Sequence, residues 1–180
     1  MENNLISKLN NMDIGSGSGY PSATLSNFAP HPFIIDGVQC NSMEGFLQSL
    51  KFDSLEMQHY VCTLVGKAAK FKGKKKKWYK KQELYWNGRI YKRDSEDYQN
   101  LLNRAYNRLN TNEKFHKALE ATKGCTLEHS IGKNNISETV LTKREFCSRL
   151  TYLRDNGPLP EHEERLPQKR NLLSNVENKE

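Results

Sequence analysis

Apolar positions along the chain recur with two different periods, and the elements follow from them. Phe33-Ile34-Ile35 followed by Asp36-Gly37 reads as a strand and a turn, with Val38 opening a return strand. Ser42 stands three residues before Gly45 as the N-cap of a helix over 43–52, in which Met43, Leu47 and Leu50 form an apolar stripe. The neighbouring face of that helix carries Glu44, Gln48 and Lys51 at i, i+4 and i+7. A second helix is predicted from Leu55 to Phe71, with Val61, Leu64, Val65 and Ala68 inward. Asn87-Gly88 centres an aromatic hairpin over 83–92. A helix entered through Asp94-Ser95 repeats Leu101, Leu102, Ala105, Tyr106 and Leu109. Thr111 opens the next, carrying Phe115, Ala118 and Leu119, with Gly124 capping its end. Thr142 and Glu145 have capping-box spacing, and the helix they begin buries Phe146, Leu150 and Leu153. The fold class expected is α+β: a single, mostly helical domain over 20–156 with short β-hairpins. Residues 1–19 are expected to be a flexible N-terminal segment, and the Pro- and charge-rich 157–180 a charged, disordered tail.

Composition then narrows the class. At 180 residues, 36% hydrophobic and 9% aromatic, the chain is polar but able to build a core. No apolar stretch approaches the roughly 18 residues of a membrane span, and the first residues lack the basic flank and apolar centre of a secretory signal. A cytoplasmic setting is expected, with no membrane partner. Cys40, Cys62, Cys125 and Cys147 lie too far apart for a CxxC pair and read as reduced, buried thiols. The histidines have no metal-ligand spacing, so no metal is expected.

Charge changes the picture more. Of the formal +7, the segment from Lys67 to Arg93 holds twelve Lys/Arg against one acid, Glu83, a local net charge of +11 on an otherwise acidic chain. Trp78, Tyr79, Tyr85, Trp86 and Tyr91 are interleaved with those cations. Cations release counterions from phosphates and aromatic faces accept bases, so the stripe is either a nucleic-acid or nucleotide surface or a solvated loop. The segment 15–19, GSGSG, offers flexible backbone of the kind that cradles phosphate, but no Lys-Ser/Thr follows it as in a P-loop.

Two polar clusters carry candidate chemistry. Glu44 and Lys51 share a helix face with Gln48 between them. They form either a solvated pair, or a carboxylate that serves charge developing at an anomeric carbon, or an amine that adds to a sugar aldehyde as a Schiff base. The spacing alone does not choose among these. The second cluster, Leu127-Glu128-His129-Ser130-Ile131-Gly132-Lys133-Asn134, is a loop-like run after an apolar helix and a candidate site wall.

Leu25-Ser26-Asn27-Phe28, Pro32-Phe33-Ile34-Ile35-Asp36-Gly37 and Met43-Glu44-Gly45-Phe46-Leu47-Gln48-Ser49-Leu50-Lys51-Phe52 together resemble the NADAR (YbiA-like) superfamily. The resemblance is specific over 25–52 and extends, more thinly, over about 25–154. There Leu127-Glu128-His129 is similar to the family's Leu-Val-Glu, and Gly132-Lys133-Asn134 to its Gly-x-Asn. The variants Met-Glu-Gly-Phe-Leu-Gln and His-Ser-Ile-Gly-Lys look like a divergent branch that resembles uncharacterised proteins of T-even-type bacteriophages. The resemblance implies an N-glycosyl hydrolase that works without metal or redox cofactor. Two activities go with the superfamily: removal of ADP-ribose from guanine in nucleic acid, and cleavage of phosphorylated N-ribosyl intermediates of riboflavin synthesis. A third reading is a module that binds ADP-ribose or nucleic acid without turnover. The partner implied is ADP-ribosylated nucleic acid or an ADP-ribose-like nucleotide, which would suit phage counter-defence. By position, Glu44 and Lys51 would be the catalytic pair, with Lys51 the Schiff-base nucleophile. Asn27, Phe28, Gln48 and Phe52 would shape the pocket. Glu128, His129 and Gly132 would close it, with Trp86 and Arg93 as further substrate contacts. The chain lacks the family's Trp near Arg93 and keeps only Ser130-Ile131 of its Trp-Gly loop. Trp78 or Trp86 would then supply the stacking surface.

Overall fold

Caps and turns set the elements, and in the computed structural model they can be followed through residues 10–164. Among these residues there are seven helices: α1 (Ser22–Leu25), α2 (Met43–Ser49), α3 (Leu55–Cys62), α4 (Gly66–Lys74), α5 (Glu96–Leu109), α6 (Glu113–Glu120) and α7 (Lys143–Asn156). Six short strands form three separate pairs. β2 (Phe33–Ile35) and β3 (Val38–Cys40) make one hairpin, and β4 (Glu83–Trp86) and β5 (Arg89–Lys92) another. β1 (Asn11–Asp13) runs parallel to β6 (Thr126–Glu128), Met12 opposite Leu127. The architecture is one α+β domain, mostly helical, with its strands in small sheets.

Local signals behave as expected. The Ser42 hydroxyl accepts the Gly45 N–H at 3.0 Å, Ser95 caps α5 by accepting from Tyr98, and Thr142 with Glu145 closes a reciprocal capping box on α7. Helix α2 is buried along its whole length and lies at the centre of the core, with α3 and α4 packed on it. Phe46 of α2 meets Trp86 edge-to-face at 5.0 Å, and Tyr106, Phe146, Leu101 and Leu150 fill the side formed by α5 and α7. Gly45 and Gly73 make this packing possible. A Cβ on Gly45 would stand 2.6 Å from the Leu64 carbonyl, and one on Gly73 would stand 1.9 Å from Gln48 Oε1.

The structure departs from expectation in four places. The helix over 55–71 is two helices, broken at Thr63–Val65, because Gly66 begins α4 at φ +56°. The break turns α4 out of phase with α3, so Ala69 rather than Ala68 faces the core. Asn112, not Thr111, caps α6, its Oδ1 accepting from Lys114 and Phe115. Residues 10–19 of the expected flexible segment belong to the domain: β1 pairs with β6 and Ile14 is buried. Residues 157–164 of the expected tail are a strap laid along α5. There Leu159 N donates to Asn107 Oδ1 at 2.8 Å, His162 N donates to Asn100 Oδ1 at 2.9 Å, and Glu164 binds Arg89 at 2.7 Å. The remaining parts of both expected segments, 1–9 and 165–180, lie outside the described residues.

Candidate active site

One edge of α2 lines a cavity of about 880 Å³, within the range of small-molecule sites. Glu44, Gln48 and Lys51 come to it from α2 and the turn at its C-terminal end. Asn27 and Phe28 come from the turn after α1, and Lys70 and Lys74 from α4. Trp78 and Tyr79 come from the 3-10 turn Trp78–Lys80, and His129 to Thr142 from the long loop before α7.

Glu44 is nine-tenths buried, and burial holds its carboxyl above the ordinary range. The Gln48 amide, donating to Glu44 Oε1 at 2.9 Å, and the positive charges of Lys51 and Lys70 oppose that rise. Burial also acts on Lys51, whose amine is brought down to about 8; Glu44 opposes that change and Lys70 adds to it. Burial thus moves the two groups toward each other, the carboxyl upward and the amine downward. Such a pair can serve as acid and nucleophile near neutral pH. Gln48 is locked between α2 and α4, where Gly73 leaves room for its amide and nothing else.

The walls are equally defined. Tyr106, deeply buried, donates its hydroxyl to Asn27 Oδ1 at 2.9 Å, which fixes the amide and leaves its NH2 without a partner among the described residues. His129 Nδ1 lies 2.7 Å from the Ile14 carbonyl. A carbonyl only accepts, so Nδ1 carries the proton of this hydrogen bond. Gly132 brings the loop against His129, since a Cβ there would stand 2.6 Å from the ring. Lys51, Lys70, Lys74, Lys76 and Lys133 line the cavity, against the carboxylates Glu44 and Glu138. The excess of lysines suits an anionic ligand.

Seven of the residues singled out from the sequence meet here: Lys51, Glu44, Asn27, Phe28, Gln48, His129 and Gly132. Four do not line the cavity. Trp86 is a core residue, 1% exposed, donating Nε1–H to Asp36 at 2.8 Å; of the two tryptophans, Trp78 is the one that lines the cavity. Arg93, also 1% exposed, forks onto Glu145 at 2.6 and 3.2 Å and donates Nε–H to the Thr139 carbonyl at 2.8 Å. It holds the cavity loop from behind. Phe52 is buried beneath Lys76, and Glu128 points outward on β6, accepting from Asn11 at 3.1 Å. The sequence reading missed Lys70 and Lys74 as site residues. They sit at i and i+4, a signal that a continuous 55–71 helix would have put out of phase with α2.

The sequence model of the family described as bacteriophage protein GP30.3 matches residues 19–155. The chain belongs to that family. A relative from Enterobacteria phage T4, an uncharacterised 17.1 kDa protein of the Gp30-rIII intergenic region, is 37% identical over 153 residues, covering 82% of this chain and 99% of the relative. The NMR structure of the Escherichia coli protein YbiA superposes with a TM-score of 0.51 at 15% identity, over 82% of this chain and 88% of YbiA. This member of the GP30.3 family thus has a YbiA-like fold. No helix among its described residues is long and apolar enough to cross a membrane.

Proposed function

We propose that the protein is an N-glycosidase that removes ADP-ribose from guanine in nucleic acid. The observation that carries this reading is the meeting of Lys51 and Glu44 in one cavity, beside Lys70, Lys74, Lys76 and Lys133. In this reading the lysines bind the diphosphate and Trp78 or Tyr79 stacks on a base. The Asn27 NH2 and His129 Nε2 bind sugar hydroxyls. The neutral Lys51 amine attacks the anomeric carbon while Glu44 delivers its proton to the departing guanine nitrogen. The ribosyl–lysine adduct opens to an imine and water adds to its carbon. Collapse returns the amine and releases ADP-ribose, so one water is consumed for each N-glycosidic bond broken.

A smaller substrate, a phosphorylated ribosyl metabolite, fits the same chemistry. The burial of Trp86 and Tyr91 favours it, by withdrawing two aromatic faces from the basic stripe. DNA bearing ADP-ribosylated guanine distinguishes the readings. Free ADP-ribose should accumulate with the wild type, and the Lys51→Ala and Glu44→Gln variants should release it at least about a hundredfold more slowly. Cleavage of the ribosyl metabolite alone would select the second reading. Tight binding of ADP-ribose without any release would leave a binding module.

A further inference from the structure

Lysines at four alternate positions each hold an ammonium over an aromatic ring. Lys70 lies 5.8 Å from the centroid of Phe28, Lys72 5.3 Å from Tyr60, Lys74 5.9 Å from Phe71 and Lys76 4.7 Å from Phe52. All are within cation–π range. The rings differ in access. Phe28 faces the cavity and Phe52 is buried, whereas Phe71 is 64% and Tyr60 50% exposed. At 100° per residue, α4 turns Ala69 and Gly73 to the core and Lys70 and Lys74 to the cavity. Phe71 then stands on the outer face, and Lys72 lies beyond it toward Tyr60 of α3. Tyr60, Phe71 and the cavity mouth therefore succeed one another around the outside of α4, with Lys74 joining Phe71 to the mouth. Nine lysines and no acid occur between Glu56 and Glu83, so nothing within that segment neutralises the track.

We propose that a single strand of nucleic acid docks across the outer face of α4, its bases stacked on Phe71 and Tyr60 and its phosphates on Lys67, Lys72, Lys74 and Lys75. The path leads the strand to the cavity, and in this respect it rests on the nucleic-acid reading of that site. Charge alone would suit a duplex equally, and the exposed rings decide the form. A duplex keeps its bases stacked on one another, whereas a single strand offers each base a free π-face. The lysines parked on the rings fit the same role, since a base that displaces one leaves the ammonium beside the adjoining phosphate.

The test is fluorescence anisotropy on the full chain with a short, labelled, unmodified single strand and a duplex of the same length. Unmodified nucleic acid reads the track whether or not the cavity cleaves anything. Phe71→Ala and Tyr60→Ala change exposed side chains and should leave the circular dichroism spectrum unaltered. Each should weaken single-strand binding roughly 5- to 100-fold. Lys67→Ala and Lys72→Ala should each lower the slope of log affinity against log salt by about 0.7. Undetectable strand binding, equal affinity for the duplex, or unchanged affinity in both ring variants would overturn the proposal. Strand binding through Phe71 and Tyr60 without release of ADP-ribose from modified DNA would instead uphold the track and overturn the cavity's assigned reaction.

Discussion

Lys51 and Glu44 are costly to fold, and in the proposed reaction the same burial activates them. Burial raises the carboxyl and brings the amine down to about 8 from its ordinary 10.5. In the proposed reaction the pair carries one proton, on Glu44, so kcat/KM should be bell-shaped with one limb near pH 8. Glu44→Gln removes one titration: its residual rate should only rise with pH as Lys51 deprotonates, with no alkaline fall. Steady-state rates from pH 5 to 10 check both profiles. Stability should depend on the same amine. The unfolded chain binds more protons than the folded one between about 8 and 10.5, so wild-type stability rises with pH through that window and is lowest below it. Lys51→Met should lack that rise and be more stable at neutral pH by about 1–3 kcal/mol, as read from urea unfolding at both ends of the window.

Elements bring these residues together, and they were legible to different degrees. The Ser42, Ser95 and Thr142 caps and the Asn87-Gly88 turn are decided by side chains within three or four residues, so the sequence displays them. The break between α3 and α4 is not displayed. Leu64-Val65 continues the apolar pattern, and only the positive φ of Gly66 reveals that the chain turns. The pairing of β1 with β6 joins residues 11 and 126 by contacts no local pattern encodes. Glu44, Gln48 and Lys51 were legible because helical spacing itself puts them on one face, whereas Lys70 and Lys74 needed the phase of α4. That phase is fixed where Gly73 meets Gln48. Gly73→Ala would drive a methyl into the Gln48 amide and deprive Glu44 of its hydrogen bond. The expected outcome is a fall in kcat of about tenfold or more with a loss of about 1–3 kcal/mol of stability, measured on one preparation by turnover and thermal melting.

For the molecule as a whole, cations and aromatics serve the core as well as the surface, which is why their roles could not be separated by composition. Trp86 and Arg93 belong to the same basic, aromatic segment as Lys74 and Trp78, yet they are buried, one against Phe46 and Asp36, the other against Glu145 and Tyr98. The strap over 157–164 extends this division between scaffold and site. None of its residues lines the cavity, while Leu159 and Glu164 tie it to α5 and β5. Ending the chain at Asn156 should lower Tm by about 5 °C or more and leave kcat unchanged, as melting curves and turnover at low temperature would show. The central claim is that the Lys51 amine breaks the N-glycosidic bond, and borohydride tests it most directly. The reagent reduces the imine between Nζ and the sugar to a stable secondary amine during reaction with ADP-ribosylated DNA. Peptide mass spectrometry should then find ADP-ribose attached at Lys51 in the wild type and none in Lys51→Ala. An adduct that persists in Lys51→Ala, or release of ADP-ribose by that variant at the wild-type rate, would contradict the account.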